Sequence, residues 1–154
     1  MNILYGIQGT GNGHVSRSTQ VVDCLQKLGA SVDVIFSGCT KDKLFDASVI
    51  TPKGFYEGFT FSTRDGHIRY LDTIRNISLV RFAKDVFSFN AEEYDLVVTD
   101  FEPLTSMIAR KEDLPCIGIG HQYAFLYDIP MERFGMLDQI IMKNFASARY
   151  PIGI

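Results

Sequence analysis

The first thirteen residues constrain the fold of this chain most strongly. Asn2–Gln8 is a short apolar run, and a loop containing Gly9, Gly11 and Gly13 follows it directly. Apolar side chains occur on both faces of the run, which is typical of a strand that is covered on both sides. Such strands lie in the middle of parallel sheets that carry helices on each face. The sequence therefore predicts an α/β fold in which the first strand is central.

The next segments predict the first strand–helix–strand unit. From His14 to Leu28, apolar residues recur at three- and four-residue multiples, and Gly29 stands where a glycine commonly ends a helix. The apolar run Val32–Phe36 then predicts a second buried strand. Because connections between such strands are nearly always right-handed crossovers, we expect the two strands to be parallel.

Strand and helix patterns continue to alternate along the rest of the chain. Residues 41–65 mix glycine and proline with aromatic residues and predict only short strands and loops. The later predicted elements are a long amphipathic helix at Tyr70–Phe89, a strand at Asp95–Thr99, a helix at Leu104–Lys111, a strand at Cys116–Gly120, a helix at Met136–Ala148 and a strand at Tyr150–Ile154. This alternation predicts a Rossmann-like, three-layer domain with a mostly parallel sheet.

The apolar residues at the carboxyl end suggest a partner for this domain. Domains usually end in exposed, polar segments, whereas Tyr150–Ile154 has the composition of a buried strand. We therefore expect residues 1–154 to form one domain that works with a carboxy-terminal domain or a partner subunit absent from this chain.

Charge and cysteine usage exclude several classes of function. The net charge is −3 and the lysines and arginines are scattered singly, so the chain lacks the basic stripe that nucleic acids require. Cys24, Cys39 and Cys116 are widely spaced, which disfavours a disulfide framework and a structural zinc site. No apolar stretch approaches the ~18 residues of a membrane span, and Asn2–Gln8 is too short for a signal peptide. We expect a cytoplasmic protein.

The loop Gln8–Ser18 predicts an anion-binding site. Ligands of open parallel sheets gather beyond the carboxyl ends of the strands, and this loop follows a central strand. Its glycines allow backbone N–H groups and the start of the helix to approach a phosphate or carboxylate. A dinucleotide site is disfavoured because His14 occupies the third glycine position and no acidic residue follows the second strand. A P-loop is disfavoured because the loop contains no lysine.

His14 and one of two acidic residues are the candidate catalytic groups. His14 can act as a general base if a carboxylate holds its other ring nitrogen, or it can be a polar capping residue. Asp100 and Glu102 flank Phe101 after a buried strand, and only one of them easily faces the crevice beside His14 if the segment stays extended. We favour Asp100. The alternative for either acid is a structural position at the helix start that Pro103 marks.

Three motifs in this order resemble those of the GT-B glycosyltransferases. They are GTGNGH at residues 9–14, VTDFEPLTSMIAR at residues 98–110 and IGIGHQ at residues 117–122. The first is similar to the loop of the branch that contains the lipid-linked N-acetylglucosamine transferase of peptidoglycan synthesis. The other two are similar to motifs of proteins often described as teichoic-acid or cell-surface polysaccharide transferases. The resemblance covers essentially the whole chain.

The resemblance implies the amino-terminal, acceptor-side half of a two-domain glycosyltransferase. In this family the carboxy-terminal domain binds the nucleotide sugar, and transfer occurs in the cleft between the two domains. A nucleoside-diphosphate sugar is then the co-substrate, and the fold requires neither a metal nor a covalently bound cofactor. The acceptor is expected to be a glycan or a lipid-linked molecule of the cell envelope.

The resemblance also implies roles for individual residues. His14 is expected to deprotonate the acceptor hydroxyl, with Asp100 orienting the reacting groups. Further residues at the carboxyl edge of the sheet are expected to contact substrate: Gly9, Thr10, Gly11, Asn12, Gly13, Ser16, Arg17, Glu102, His121 and Gln122.

Other functions stay open on the sequence alone. The chain is compatible with a non-catalytic binding subunit of a split glycosyltransferase, in which another chain supplies the donor half. It is also compatible with a sugar-nucleotide epimerase-like domain, because some epimerases share the fold. A peripheral contact with the inner face of the cell membrane stays open as well, since composition does not locate the surface that would make it.

Overall fold

Strands and helices alternate along the computed structural model, which describes residues 1–10, 12–41, 50–58, 63–64, 67–68, 78–127 and 143–154. The strands are Asn2–Gln8 (β1), Ser31–Ser37 (β2), Pro52–Tyr56 (β3), Thr63–Arg64 (β4), His67–Ile68 (β5), Leu96–Asp100 (β6), Cys116–Ile119 (β7) and Tyr150–Ile152 (β8). The helices are Asn12–Lys27 (α1), Leu79–Ser88 (α2), Pro103–Lys111 (α3) and His121–Ala124 (α4).

Six strands form one parallel sheet in the order β3-β2-β1-β6-β7-β8, and β4 pairs with β5 in a separate antiparallel pair. The strand order changes direction between β1 and β6. The register pairs Ile7 with Phe36 on one side and with Asp100 on the other, so these strands end at the same edge. The predicted Rossmann-like parallel sheet with a central first strand is confirmed, and the crevice of such a sheet lies at this edge.

Hydrophobic clusters cover both faces of the sheet because β1 is apolar on both sides. On one face Tyr5 and Ile7 pack in a cluster with Val15 and Val22 of α1. On the other face Leu4 packs in a cluster that includes residues of α2 and α3. Full burial of an aliphatic side chain stabilises a fold by about 1.5–3 kcal/mol, so β1 anchors helices on both sides. The result is three layers, with helices on both faces of the sheet.

The first helix ends at the glycine that the sequence predicts. Gly29 has φ +86°, a left-handed conformation that glycine adopts without steric cost. The N–H groups of Gly29 and Ala30 donate to the carbonyls of Gln26 and Leu25, which is the Schellman pattern of helix termination. Leu28 fits the apolar spacing of the helix, but it is 84% exposed because it lies in this terminating turn.

The second helix begins later than the sequence predicts. Ser78 has the non-helical ψ of 88°, and its hydroxyl accepts a hydrogen bond from the backbone N–H of Arg81 at 3.3 Å. Ser78 is therefore an N-cap, and a single continuous helix over Tyr70–Phe89 is wrong. Residues 70–77, which the predicted helix also included, lie outside the described part of the chain.

The last predicted helix, Met136–Ala148, extends too far at its carboxyl end. Its first part falls within residues 128–142, which lie outside the described ranges, and helical geometry ends at Asn144. The carbonyl of Ala146 instead accepts a hydrogen bond from the Tyr123 hydroxyl at 2.6 Å. The carbonyl of Ala146 thus has a tertiary hydrogen-bond partner in place of a backbone N–H of its own helix. Among the described residues, no helix is long and apolar enough to cross a membrane.

Gly6 allows α3 to pack directly on β1, which gives a test of the packing. A Cβ at Gly6 would overlap the Thr105 side chain and lie 2.6 Å from Oε2 of Glu102. We expect Gly6→Ala to lower the free energy of unfolding by about 3 kcal/mol, measured by urea denaturation. Gly13→Ala is the matched control, because a Cβ there meets nothing within 4 Å. Equal unfolding midpoints for the two variants would contradict the packing described here.

Candidate active site

The site lies at the carboxyl ends of β1 and β6, where the strand order changes direction. After β1 the chain passes through Gly9, whose N–H donates to the carbonyl of Ser37 at 2.7 Å. A side chain at Gly9 would overlap Cys39, so this glycine is required by the close approach of two loops. These contacts hold the loop before α1 against the end of β2.

His14 and Asp100 meet at this edge. Nδ1 of His14 lies 2.8 Å from Oδ1 of Asp100, although 86 residues separate them in the sequence. The Asp100 side chain is fully buried, and 14% of the His14 side chain is exposed. The structure thus brings Asp100 beside His14, and the catalytic roles of both residues stay predictions. A role as a helix cap alone does not account for this contact of His14.

The backbone at Phe101 separates Asp100 from the second acid. Phe101 has φ +50°, so the segment is not extended, contrary to the condition assumed from the sequence. The change of direction turns Glu102 towards α3, where its side chain accepts hydrogen bonds from the N–H groups of Leu104 and Thr105. The two acids therefore serve different parts of the structure.

Asp100 accepts hydrogen bonds from three side chains of α1. Besides His14, Arg17 Nη2 contacts Oδ1, and the Ser18 hydroxyl donates to Oδ2 at 2.7 Å. The donors lie at positions i, i+3 and i+4, which share one face of a helix. A buried carboxylate requires such compensation, since an unpaired charge in the interior is strongly unfavourable. α1 thus neutralises and solvates Asp100 in place of water.

The contact with Asp100 determines the tautomer of His14. Nδ1 carries the proton in neutral His14, because the carboxylate oxygen it faces can only accept a hydrogen bond. Arg17 Nη2 lies 3.3 Å from the same Nδ1, but both nitrogens are donors and both point at the same carboxylate. The lone pair is then on Nε2, which lies 3.5 Å from Nε2 of Gln122. Asp100 thus holds one ring nitrogen, and the other presents a lone pair that only the Gln122 amide contacts at this long distance, an arrangement that suits a general base.

His121 and Gln122 bring the end of β7 to the same site. The ring centroids of His14 and His121 lie 6.4 Å apart. Burial, followed by the nearby Arg17 and His14, lowers the pKa of His121, so its neutral form is favoured. Gly120 precedes these two residues, and a Cβ there would lie 3.0 Å from Oε1 of Gln122, a close contact, and at ordinary contact distance from the Asp100 carboxylate and Arg17.

Comparison with known proteins identifies the family of this chain. The family model described as glycosyl transferase family 1 matches residues 1–152. The chain belongs to this family. A comparison with curated proteins finds no match.

Two solved glycosyltransferase structures are similar to this chain. MurG from Acinetobacter baumannii matches with a TM-score of 0.54 at 15% identity, over 97% of this chain and 40% of that one. A ugt transferase from Siraitia grosvenorii, solved in complex with UDP, matches with a TM-score of 0.46 at 16% identity, over 81% of this chain and 29% of that one. The MurG likeness confirms the predicted GT-B fold family. This chain spans less than half the length of either structure.

Glu102 of this glycosyltransferase chain is an N-cap of α3. Its carboxylate accepts from Leu104 N at 2.6 Å and from the N–H and hydroxyl of Thr105, each at 2.7 Å. The side chain is fully buried, and burial raises its pKa. Of the two alternatives for this residue, the structure places it in the helix-start position, away from His14.

The other predicted contact residues occupy positions 10 to 16 of the sequence. Thr10, Asn12 and Ser16 are exposed, and Gly13 lies in the first turn of α1. Gly11 lies outside the described residues. Substrate contacts of all these residues stay predictions. Within the described ranges, no three His, Cys, Asp or Glu residues cluster in a way that could hold a metal ion.

Two members of the site are not among the residues predicted from the sequence. Ser18 is fully buried beside Asp100, and its signal is the spacing of polar residues 14, 17 and 18 on the side of α1 that faces the sheet. Gly120 has a weaker signal, a glycine directly after a buried strand at the carboxyl edge. Neither residue type suggests chemistry by itself.

The charge of Arg17 acts on His121, and this can be measured. Removing the cation in Arg17→Gln is expected to raise the pKa of His121, so that its imidazole gains a proton at higher pH than in the wild type. NMR titration of the His121 ring protons gives this pKa directly. Lys27→Gln is the matched control, because it removes one positive charge at the far end of the same helix. An identical His121 titration in Arg17→Gln and the wild type would contradict the electrostatic coupling.

Proposed function

We propose that this chain is the acceptor-side domain of a nucleotide-sugar-dependent glycosyltransferase, with His14 as the general base. Membership of glycosyl transferase family 1 supports the transferase class. The observation that carries the assignment of the base is the 2.8 Å contact between His14 Nδ1 and Asp100, which leaves Nε2 towards the site. Metal-independent activation of a hydroxyl needs such a base.

The proposed reaction is a single displacement at the anomeric carbon of the donor sugar. His14 Nε2 accepts the proton of the acceptor hydroxyl while its oxygen forms a bond to the anomeric carbon. The bond between this carbon and the diphosphate oxygen breaks, and the nucleoside diphosphate leaves with the electron pair. Asp100 stabilises the imidazolium that forms, as a buried carboxylate does for other catalytic histidines. One displacement of this kind inverts the anomeric configuration.

The donor half of the site is proposed to come from a carboxy-terminal domain or a partner subunit. This chain covers only 40% of the MurG structure, so most of that protein has no counterpart here. The nucleoside-diphosphate sugar would be bound mainly by the other half, with α1 and the glycine loop facing the cleft. We propose a cell-envelope acceptor, a glycan or lipid-linked molecule of polysaccharide or teichoic-acid synthesis, on the basis of the three motifs at residues 9–14, 98–110 and 117–122.

A groove between α2 and α3 supports a further proposal. We propose that the protein is cytoplasmic and binds to the inner face of the membrane. The groove has a volume of about 600 Å³ and is lined by Leu79, Phe82, Ala83, Val86, Phe87, Met107, Arg110 and Lys111. Leu79 is 57% exposed and Phe87 is 75% exposed, which is unusual for large apolar side chains. Arg110, which is exposed, and Lys111 add positive charge to the lining of the groove. Apolar surface flanked by cations is complementary to a bilayer that contains anionic lipid.

Binding to vesicles tests the membrane proposal. We expect the protein to sediment with vesicles that contain phosphatidylglycerol, and Phe87→Asp to weaken this binding about tenfold, because the aspartate opposes both apolar insertion and charge attraction. Leu28→Asp is the matched control, since Leu28 is also largely exposed, at 84%, but lies at the end of α1. Equal loss of binding in both variants, or no binding by the wild type, would overturn the proposal.

Transfer assays test the catalytic assignment in the protein that contains this chain together with its donor half. Product formation from a panel of nucleoside-diphosphate sugars is followed by mass spectrometry, with polyprenyl-linked and soluble glycan acceptors. We expect His14→Ala to lower kcat by about 1000-fold, the scale of a lost general base. Gln26→Ala, an exposed substitution on the same helix, should leave kcat unchanged. Wild-type kcat in a folded His14→Ala protein would remove His14 from the mechanism.

A further inference from the structure

Ser18 is a buried hydroxyl that none of the reaction steps above uses. The residue is fully buried on the face of α1 that packs against the sheet, near Val15 and Val22. A hydroxyl in such surroundings is costly unless it forms a hydrogen bond. Its partner is Oδ2 of Asp100, at 2.7 Å and 82 residues away in the sequence.

The neighbouring threonine shows what an ordinary helix hydroxyl does. Thr19 donates to the carbonyl of Val15, four residues earlier in the same helix, at 2.8 Å. Serine and threonine inside helices commonly form this local bond, which satisfies the hydroxyl without any tertiary partner. Ser18 instead donates across to β6. Its hydrogen bond therefore serves the carboxylate of Asp100.

The two oxygens of Asp100 have separate partners. Oδ1 receives the contacts of His14 Nδ1 and Arg17 Nη2, and Oδ2 receives the Ser18 hydroxyl. Rotation about the last side-chain bond of an aspartate is soft, so a carboxylate held at one oxygen can turn. A donor on Oδ2 fixes the plane of the carboxylate. The phenol of Tyr5 lies on the face of the sheet that α1 covers. Burial raises its pKa to about 12, so the phenol adds no charge near Asp100.

We infer that Ser18 is a positioning residue for the base, an inference that rests on the proposed function of His14. By holding Oδ2 of Asp100, Ser18 keeps Oδ1 aligned with His14 Nδ1. The proton of the neutral ring then stays on Nδ1, and the lone pair of Nε2 faces the acceptor hydroxyl. Ser18 itself does not touch the substrate, and it acts only through Asp100.

The tautomer of His14 tests this inference without any activity measurement. Nitrogen-15 NMR distinguishes a protonated ring nitrogen from an unprotonated one. We expect wild-type His14 to carry its proton on Nδ1, and Ser18→Ala to show a mixture of the two tautomers. Thr19→Ala is the matched control, because it removes a hydroxyl one residue away that does not contact Asp100. A pure Nδ1–H tautomer in Ser18→Ala would overturn the positioning role.

Kinetics of the protein with its donor half give the second readout. Ser18→Ala is expected to lower kcat by about 10- to 100-fold with little change in KM, the size of a lost hydrogen bond to a charged group. Thr19→Ala should retain wild-type kcat. Unchanged kcat in Ser18→Ala would overturn the inference.

The two sets of measurements separate failure of this inference from failure of the proposed function. If His14→Ala stays active while Ser18→Ala disturbs the tautomer, the positioning contact exists and the general-base role of His14 fails. If His14→Ala is inactive while Ser18→Ala has wild-type kcat and tautomer, the general base stands and the role of Ser18 fails.

Discussion

The structure of the site depends on the burial of one carboxylate. Asp100 has no exposed surface, and an ion of this kind costs several kcal/mol in a protein interior unless other groups replace water around it. α1 supplies that replacement from His14, Arg17 and Ser18. The helix must therefore lie with its first two turns against the end of β6. The position of α1, the path of the loop before it and the geometry of the histidine all follow from this requirement.

The order of the sheet makes this contact possible between distant parts of the sequence. β1 lies between β2 and β6, so the element that follows β1 starts next to the residue that ends β6. Close packing of loops then fixes the distance between the ends of neighbouring strands. Gly9 passes against Cys39, and a side chain at Gly9 would overlap it. A glycine at this edge thus sets how near the ends of β1 and β2 come to one another.

Much of this arrangement could be predicted because it rests on local patterns. The apolar run of β1, the glycine that ends α1 and the acid that ends β6 each have a short-range signal in the sequence. The predicted helix Tyr70–Phe89 is too long, because apolar spacing does not reveal that Ser78 serves as an N-cap. Ser18 was missed because its role depends on a partner 82 residues away, which no window of sequence contains.

The left-handed backbone of Phe101 has a consequence for engineering the stability of this domain. A non-glycine residue with φ +50° carries about 1–2 kcal/mol of conformational cost, which glycine would relieve. The Phe101 ring also packs against Tyr123 and Phe145, with ring centroids 5.6 and 5.3 Å apart. A glycine at this position would thus exchange backbone strain for lost aromatic packing. It would also make the backbone between Asp100 and Glu102 more flexible, although these two carboxylates serve different parts of the structure. Selection for thermal stability alone is therefore a poor guide at position 101.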